Sequence, residues 1–178
     1  KFSVLYADPP WDIGSMVLYK WESPLEDKYE TLTLADLKEY QDKDGKKIYE
    51  LPADNSVIFL WTTHTKLEEA LELLKYWGFK YHICITWNKG GGWSANGFHR
   101  QTELCLFGYR GILSKVLKQE GKYIPTLISE PKTTHSTKPK IMRQFIEERT
   151  IGPKVELFCR TRHKGWVVWG DQIDGSNG

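Results

Sequence analysis

The 178-residue chain has only three cysteines, Cys84, Cys105 and Cys159, and none stands close enough to another to make a CxxC pair. This spacing excludes a zinc ribbon and a disulfide framework, so no metal is expected. Each thiol sits in an apolar run, as a reduced, buried side chain of an intracellular protein would. No apolar run is long enough to span a bilayer and no signal-peptide pattern is read, so an intracellular location without membrane association is expected. Neither sign of charge dominates, since 25 Lys and Arg against 23 Asp and Glu leave a net +2. A protein that held a polyanion by its own charge would be more basic. Any such affinity should be weak, or should come from a partner subunit or from segments outside this chain. The Gly-rich stretch Lys89-Gly90-Gly91-Gly92-Trp93-Ser94-Ala95-Asn96-Gly97 lacks the GKS/T ending of a phosphate-binding loop. It reads as a flexible loop. There is no internal repeat and no low-complexity tract.

What is present is first of all Asp8-Pro9-Pro10-Trp11, directly after the apolar run Phe2-Ser3-Val4-Leu5-Tyr6-Ala7. Such a run stopping at two prolines reads as a buried strand ending in a rigid loop. Ligands of open α/β sheets bind at the carboxyl ends of strands. The tetrapeptide therefore puts a carboxylate, two proline carbonyls and a large aromatic at the expected site. An acceptor-rich pocket of this kind suits a planar ring with an exocyclic amino group, and adenine is the obvious candidate. The 6-amino nitrogen of adenine is a poor nucleophile, because its lone pair is delocalised into the ring. Two acceptors facing its hydrogens favour a more tetrahedral nitrogen and stabilise positive charge as it attacks. Asp8 can supply one acceptor and the Pro9 carbonyl the other, with φ fixed by the prolines before the base arrives. Trp11 can stack on the base, worth ~1–3 kcal/mol. The bland alternative makes Asp8 a cap and Trp11 a core aromatic.

The rest of the chain alternates strands and helices, which predicts an α/β fold: a mostly parallel central sheet with helices on both faces. One domain over residues 1–178 is expected, and because Phe2 already stands in a strand, trimming at the N-terminus is expected too. Asp12 to Lys28 has no period and reads as a long loop. Thr33 is placed to cap a short helix through Leu34, Leu37 and Tyr40. Val57 to Trp61 is a second strand. Leu67, Ala70, Leu71, Leu74 and Trp77 recur at helical spacing before Gly78. Further strands are predicted at Tyr81 to Trp87, Leu104 to Tyr109, Val155 to Cys159 and Trp166 to Trp169. A helix is predicted from Lys138 to Arg149, with Ile141, Phe145 and Ile146 inward. Gly111 to Ser129 is ambiguous. Of the eight tryptophans, Trp61, Trp77 and Trp169 read as packing residues, whereas Trp11, Trp21 and Trp93 fall in polar or Gly-rich surroundings. Lys89, His99 and Arg100 on or beside the Gly-rich stretch, and Lys132, Lys140 and Arg143 around the last helix, could meet phosphates. Ordinary solubilising charge explains each singly just as well.

Several further motifs follow the tetrapeptide in order: Tyr29-Glu30-Thr31-Leu32-Thr33-Leu34, Val57-Ile58-Phe59-Leu60-Trp61, Ile85-Thr86-Trp87-Asn88-Lys89 and Glu103-Leu104-Cys105-Leu106-Phe107-Gly108. His135-Ser136-Thr137-Lys138-Pro139, Glu156-Leu157-Phe158-Cys159-Arg160 and Gly165-Trp166 complete the set. From Phe2 to about Ile173 this order resembles the MT-A family, founded by the seventy-kilodalton subunit of mRNA adenosine methyltransferase. The resemblance implies a Rossmann-like methyltransferase fold with permuted motif order, the catalytic strand first and the cofactor strand late. It implies methyl transfer from S-adenosylmethionine to the 6-amino group of adenine in DNA, or alternatively in RNA. A catalytically silent scaffold subunit is the third alternative. It further implies Asp8, Pro9, Pro10 and Trp11 as catalytic residues, and Trp11, Tyr29, Lys89, His99 and Arg100 on the substrate side. On the cofactor side it implies Asp8 again, Lys138 in contact with the cofactor's carboxylate, Arg160 and His163 at the end of the cofactor strand, and Asp171 and Gln172 where the family has Asn-Gln holding the ribose. Nucleic acid is the expected partner, and a second copy or a different subunit is left open.

Overall fold

The computed structural model describes residues 1–12, 31–132, 138–159 and 161–170. Within them seven strands form one sheet: β1 (Phe2–Ala7), β2 (Pro52–Thr62), β3 (Lys80–Ala95), β4 (Phe98–Arg110), β5 (Leu127–Ser129), β6 (Lys154–Leu157) and β7 (Trp166–Trp169), in the order β5-β3-β4-β2-β1-β6-β7. The pairs β1·β2, β1·β6, β6·β7 and β3·β5 are parallel. Only β4 runs against its neighbours β2 and β3. The expected mostly parallel Rossmann-like sheet is thus present, with one strand reversed.

The central strands are apolar throughout because both of their faces are covered. On β1, Leu5 and Ala7 pack on one side with Leu37, Leu73 and Leu74, while Val4 and Tyr6 pack on the other with Met142 and Ile146. The first side is roofed by α1 (Leu34–Glu39) and α2 (Leu67–Tyr76), the second by α3 (Lys140–Arg149). Thr33 and Asp36 close a reciprocal capping box at the start of α1, with Thr33 N donating to Asp36 Oδ2 at 2.9 Å and Asp36 N to Thr33 Oγ1 at 3.2 Å. Gly78 takes φ 87° just beyond α2, as its C-terminal position requires. The buried face of α2 is Ala70, Leu73 and Leu74 rather than one including Leu71, which is exposed. On α3 the fully buried residues are Met142, Ile146 and Arg149, with Ile141 and Phe145 only partly covered. This helix begins two residues later than predicted. Pro139 is its N-cap and offers no side-chain acceptor; Glu130 takes that role, accepting from Lys140 N at 2.9 Å and Ile141 N at 3.3 Å.

The Gly-rich stretch is not a loop. β3 continues through Ala95 and turns back as β4, with Trp93 opposite Arg100 and Ala95 opposite Phe98. Asn96 and Gly97 have φ 51° and 81°, the left-handed pair that a two-residue hairpin turn needs. A Cβ on Gly92 would collide with the backbone carbonyl of Arg100, so only glycine fits against β4 at this point. The tight turn is also why β4 is antiparallel.

Candidate active site

Strands β1, β2 and β6 all end on the same edge of the sheet. Because β4 is reversed, the early part of that strand reaches the same edge, with Leu104 opposite Thr62 at the end of β2. A cavity of about 540 Å³ opens there, within the range of small-molecule sites. Asp8, Pro9, Pro10 and Trp11 all line it, and so do Lys138 and His163 and the three cations Lys132, Lys140 and Arg143, so nine of the residues singled out in the sequence are brought together. Thr62, Thr63, Glu103, Glu156 and Phe158 line it too.

Lys138 is the electrostatic centre of the cavity. Its Nζ stands 2.8 Å from Glu103 Oε2 and 3.2 Å from Asp8 Oδ1, and 5.4 Å from the ring centroid of Trp61. Glu103 also holds Lys89, at 3.2 Å. Burial opposes the Lys138 ammonium, but Asp8 and Glu103 outweigh burial and raise its pKa above the ordinary lysine value. Burial likewise opposes the Glu103 carboxylate, and Lys138 and Lys89 reverse that, holding its pKa below the ordinary range. The Lys138–Glu103 pair is therefore ionised at neutral pH. Sequence reasoning gave Glu103 no role. A strand at 104–109 taken as parallel would put its beginning at the far end of the sheet. The Asn96-Gly97 turn was the available signal that it is reversed.

Under the carboxylates runs a chain of aromatic hydrogen bonds. The indole N–H of Trp11 donates to the Trp61 carbonyl at 2.9 Å, and the Trp61 indole donates to the Tyr6 hydroxyl at 2.8 Å. Burial pushes the Tyr6 pKa well up, so the phenol stays protonated. Trp11 lines the cavity and is also held firmly by the core. Trp11 is 7% exposed and packs into the core, because its N–H finds an acceptor at the end of β2 while the ring is covered by apolar side chains. The prolyl loop is itself tied down. Pro9 O accepts from Trp11 N at 2.9 Å and Pro10 O from Leu32 N at 2.8 Å. Each carbonyl keeps a second lone pair.

His99 and Arg100 lie on the β3–β4 hairpin and do not line the cavity; His99 Nδ1 pairs with Ser94 Oγ at 2.8 Å. Lys89 reaches the cavity only through Glu103. Tyr29, Arg160, Asp171 and Gln172, like most of the long segment after Asp12 and the His135-Ser136-Thr137 stretch, lie outside the described residues. Cys105 is buried, but Cys84 and Cys159 are only partly so. Cys159 lines the cavity, and burial pushes its thiol up to about 11, which keeps it protonated and a poor nucleophile at neutral pH. Among the described residues no helix is long and apolar enough to cross a membrane.

The MT-A70 family profile matches residues 2–172. The chain belongs to the MT-A70 family. It is 30% identical over 191 residues to the Type II methyltransferase M.MunI of Mycoplasma sp, covering 97% of this chain and 78% of that protein. It is 32% identical to a putative N(6)-adenosine-methyltransferase MT-A70-like protein of Medicago truncatula, over 98% of this chain and 27% of the relative. It is 29% identical to the human N(6)-adenosine-methyltransferase catalytic subunit METTL3, over 98% of this chain and 29% of the relative. The chain thus spans most of the first relative and under a third of the other two. The family and its named members place it among the adenine N(6)-methyltransferases, which use S-adenosylmethionine. Substrate readings in DNA and in RNA both fit these relatives.

Proposed function

We propose that this chain transfers the methyl group of S-adenosylmethionine to the 6-amino group of adenine in DNA, with the cavity at the carboxyl edge of the sheet as its active site. The observation that carries this reading is Asp8, at the end of β1, ion-paired to a lysine that a second carboxylate also holds. Bound S-adenosylmethionine supplies the electrophilic methyl group. Asp8 accepts one hydrogen of the target amino group and the remaining lone pair of Pro9 O accepts the other. Lys138 holds Asp8 in place, and Glu103 holds Lys138. The rate gain comes from alignment and preset acceptors. No strong base is required, because the amino group becomes acidic once methylated. The cavity suits the cofactor: it offers carboxylates, cations and aromatic surface in a volume of small-molecule size.

DNA is preferred because the relative this chain most nearly spans, among those named above, is a Type II methyltransferase, the designation of enzymes that modify DNA. RNA is the second reading, favoured by the adenosine-methyltransferase names of the longer relatives. The intact Asp8-Pro9-Pro10-Trp11 sequence and its ion-paired carboxylate argue against a silent scaffold. The net charge of +2 supports a partner subunit, or a second copy, that adds affinity for the polymer. Incubating the protein with S-adenosylmethionine and single-stranded DNA, duplex DNA or RNA, followed by mass spectrometry of the nucleosides, tests the choice. New 6-methyladenine in DNA supports the first reading, and its appearance in RNA alone selects the second.

A further inference from the structure

Glu130 directly follows β5 and does not line the cavity, yet bonds converge on it from two sides. Its carboxylate accepts from the backbone of α3, Lys140 N to Oε1 at 2.9 Å and Ile141 N to Oε2 at 3.3 Å. Its own carbonyl accepts from the indole of Trp87 on β3 at 2.8 Å. The first amides of a helix need acceptors from outside it, and these usually come from the N-cap side chain. Here the N-cap is Pro139, which has none to give. The acceptor comes instead from another element of the fold, ten residues before Lys140. A carboxylate at this end of a helix also suits the dipole.

Both sets of bonds lead to Lys138. Along the chain, Lys138 stands just before Pro139 and the first turn of α3, so fixing that turn fixes its backbone. Through the side chains, Trp87 meets Trp61 at 5.9 Å and 75°, and the Lys138 ammonium lies 5.4 Å from the Trp61 ring centroid. Nearby, Lys132 N donates to Lys89 O at 3.2 Å, which ties the chain after Glu130 to the end of β3 as well. The placement is exacting. Lys138 Nζ is 2.8 Å from Glu103 and 3.2 Å from Asp8, so a displacement of ~1 Å breaks one contact or the other. A misplacement of that size near reacting groups costs up to ~100-fold in rate.

We infer that Glu130 is a positioning residue for methyl transfer: by holding the start of α3 to the end of β5 it sets Lys138 between Asp8 and Glu103. The inference rests on the methyl-transfer reading given above. It gives Glu130 no contact with cofactor or base.

Two measurements on the same variants test it. The first is acetylation of Lys138 by acetic anhydride, followed by peptide mass spectrometry, which reads its position without turnover. The lysine is protected in the wild type, being 20% exposed and paired with two carboxylates. The second is single-turnover methylation at saturating substrate. Asn55→Ala serves as control, because it also deletes a side-chain acceptor of a backbone amide, that of Ile112 at 2.8 Å, but at the opposite edge of the sheet. Glu130→Ala should speed acetylation of Lys138 by about fivefold or more and slow transfer by about tenfold or more, while Asn55→Ala leaves both within about twofold of wild type. Glu130→Gln keeps one acceptor and should fall between. Unchanged acetylation in Glu130→Ala overturns the inference. So do equal effects of Glu130→Ala and Asn55→Ala, or faster acetylation with undiminished transfer. If Glu130→Ala does not fold, Glu130→Gln takes its place with the same outcomes. Wild-type protein that methylates neither DNA nor RNA, with acetylation as expected in the variants, supports the tether and overturns the methyl-transfer reading.

Discussion

Replacing Glu103 by Gln removes one charge from a cluster of four side chains and keeps its shape. Lys138 loses the ionic character of its 2.8 Å contact and keeps Asp8 at 3.2 Å, while Lys89 loses its 3.2 Å ion pair. Lys89 and Glu103 are 15% and 17% exposed, so the cost lies between that of a surface pair and that of a fully buried one. Hydrogen bonds to charged groups contribute ~1.5–3 kcal/mol each, and the amide oxygen of Gln still accepts from one lysine, which leaves a net loss of ~2 kcal/mol. In a chain of 178 residues that lowers the melting temperature by ~4–8 °C. The effect on transfer is separate. Freed from Glu103, the Lys138 ammonium leans on Asp8 alone and competes with the target amino group for that carboxylate. A rate loss of ~10–100-fold follows, equal to ~1.4–2.7 kcal/mol in the barrier. Differential scanning fluorimetry and single-turnover methylation read the two effects. A variant that melts within ~1 °C of wild type and transfers at an unchanged rate refutes the reasoning that Glu103 positions Lys138.

The remaining predictions concern pH, Trp11 and the hairpin. Glu103, with its pKa lowered from 4.5, contributes stability above that value and loses it as pH falls through the folded-state value; Lys138, raised from 10.5, contributes below that value and loses it only as pH rises through its own. The melting-temperature gap between wild type and Glu103→Gln should therefore be flat from about pH 6 to about pH 9 and close in acid; a gap that changes across neutrality contradicts the ionised network. Trp11→Phe keeps a ring but loses the bond to the Trp61 carbonyl, so it should cost ~1 kcal/mol, seen as a melting temperature ~2–4 °C lower. Unchanged stability would contradict an anchoring role for the bond to the Trp61 carbonyl. Gly92→Ala should separate β3 from β4 near Arg100 and speed amide exchange in the hairpin, while exchange in β1 stays slow.

The sequence revealed most where local chemistry and tertiary need coincide. Phe2 to Ala7 is an apolar run covered on both faces, and Thr33 carries its own cap, so both read directly from residue types. Asp8 stands out because two prolines end its strand abruptly. Two features were hidden. Asn96-Gly97 is a hairpin turn whose weight was lost among surrounding glycines, and missing it concealed both the reversal of β4 and the arrival of Glu103 at the site. Trp11 sits in a polar, proline-rich stretch yet is buried, because one long-range bond to the end of β2 draws the ring inward. Pairings across 50 residues of chain leave no local trace.

The central claim is that Asp8 accepts the target amino group as the methyl is transferred. Its most direct test is a comparison of wild type and Asp8→Ala by mass spectrometry of nucleosides, with S-adenosylhomocysteine affinity and melting temperature measured alongside. The Asp8 side chain is 38% exposed, so its loss should leave the fold intact. The account predicts 6-methyladenine formation by wild type and a loss of ~1000-fold or more in the variant, at nearly unchanged melting temperature. Near wild-type methylation by Asp8→Ala would contradict it.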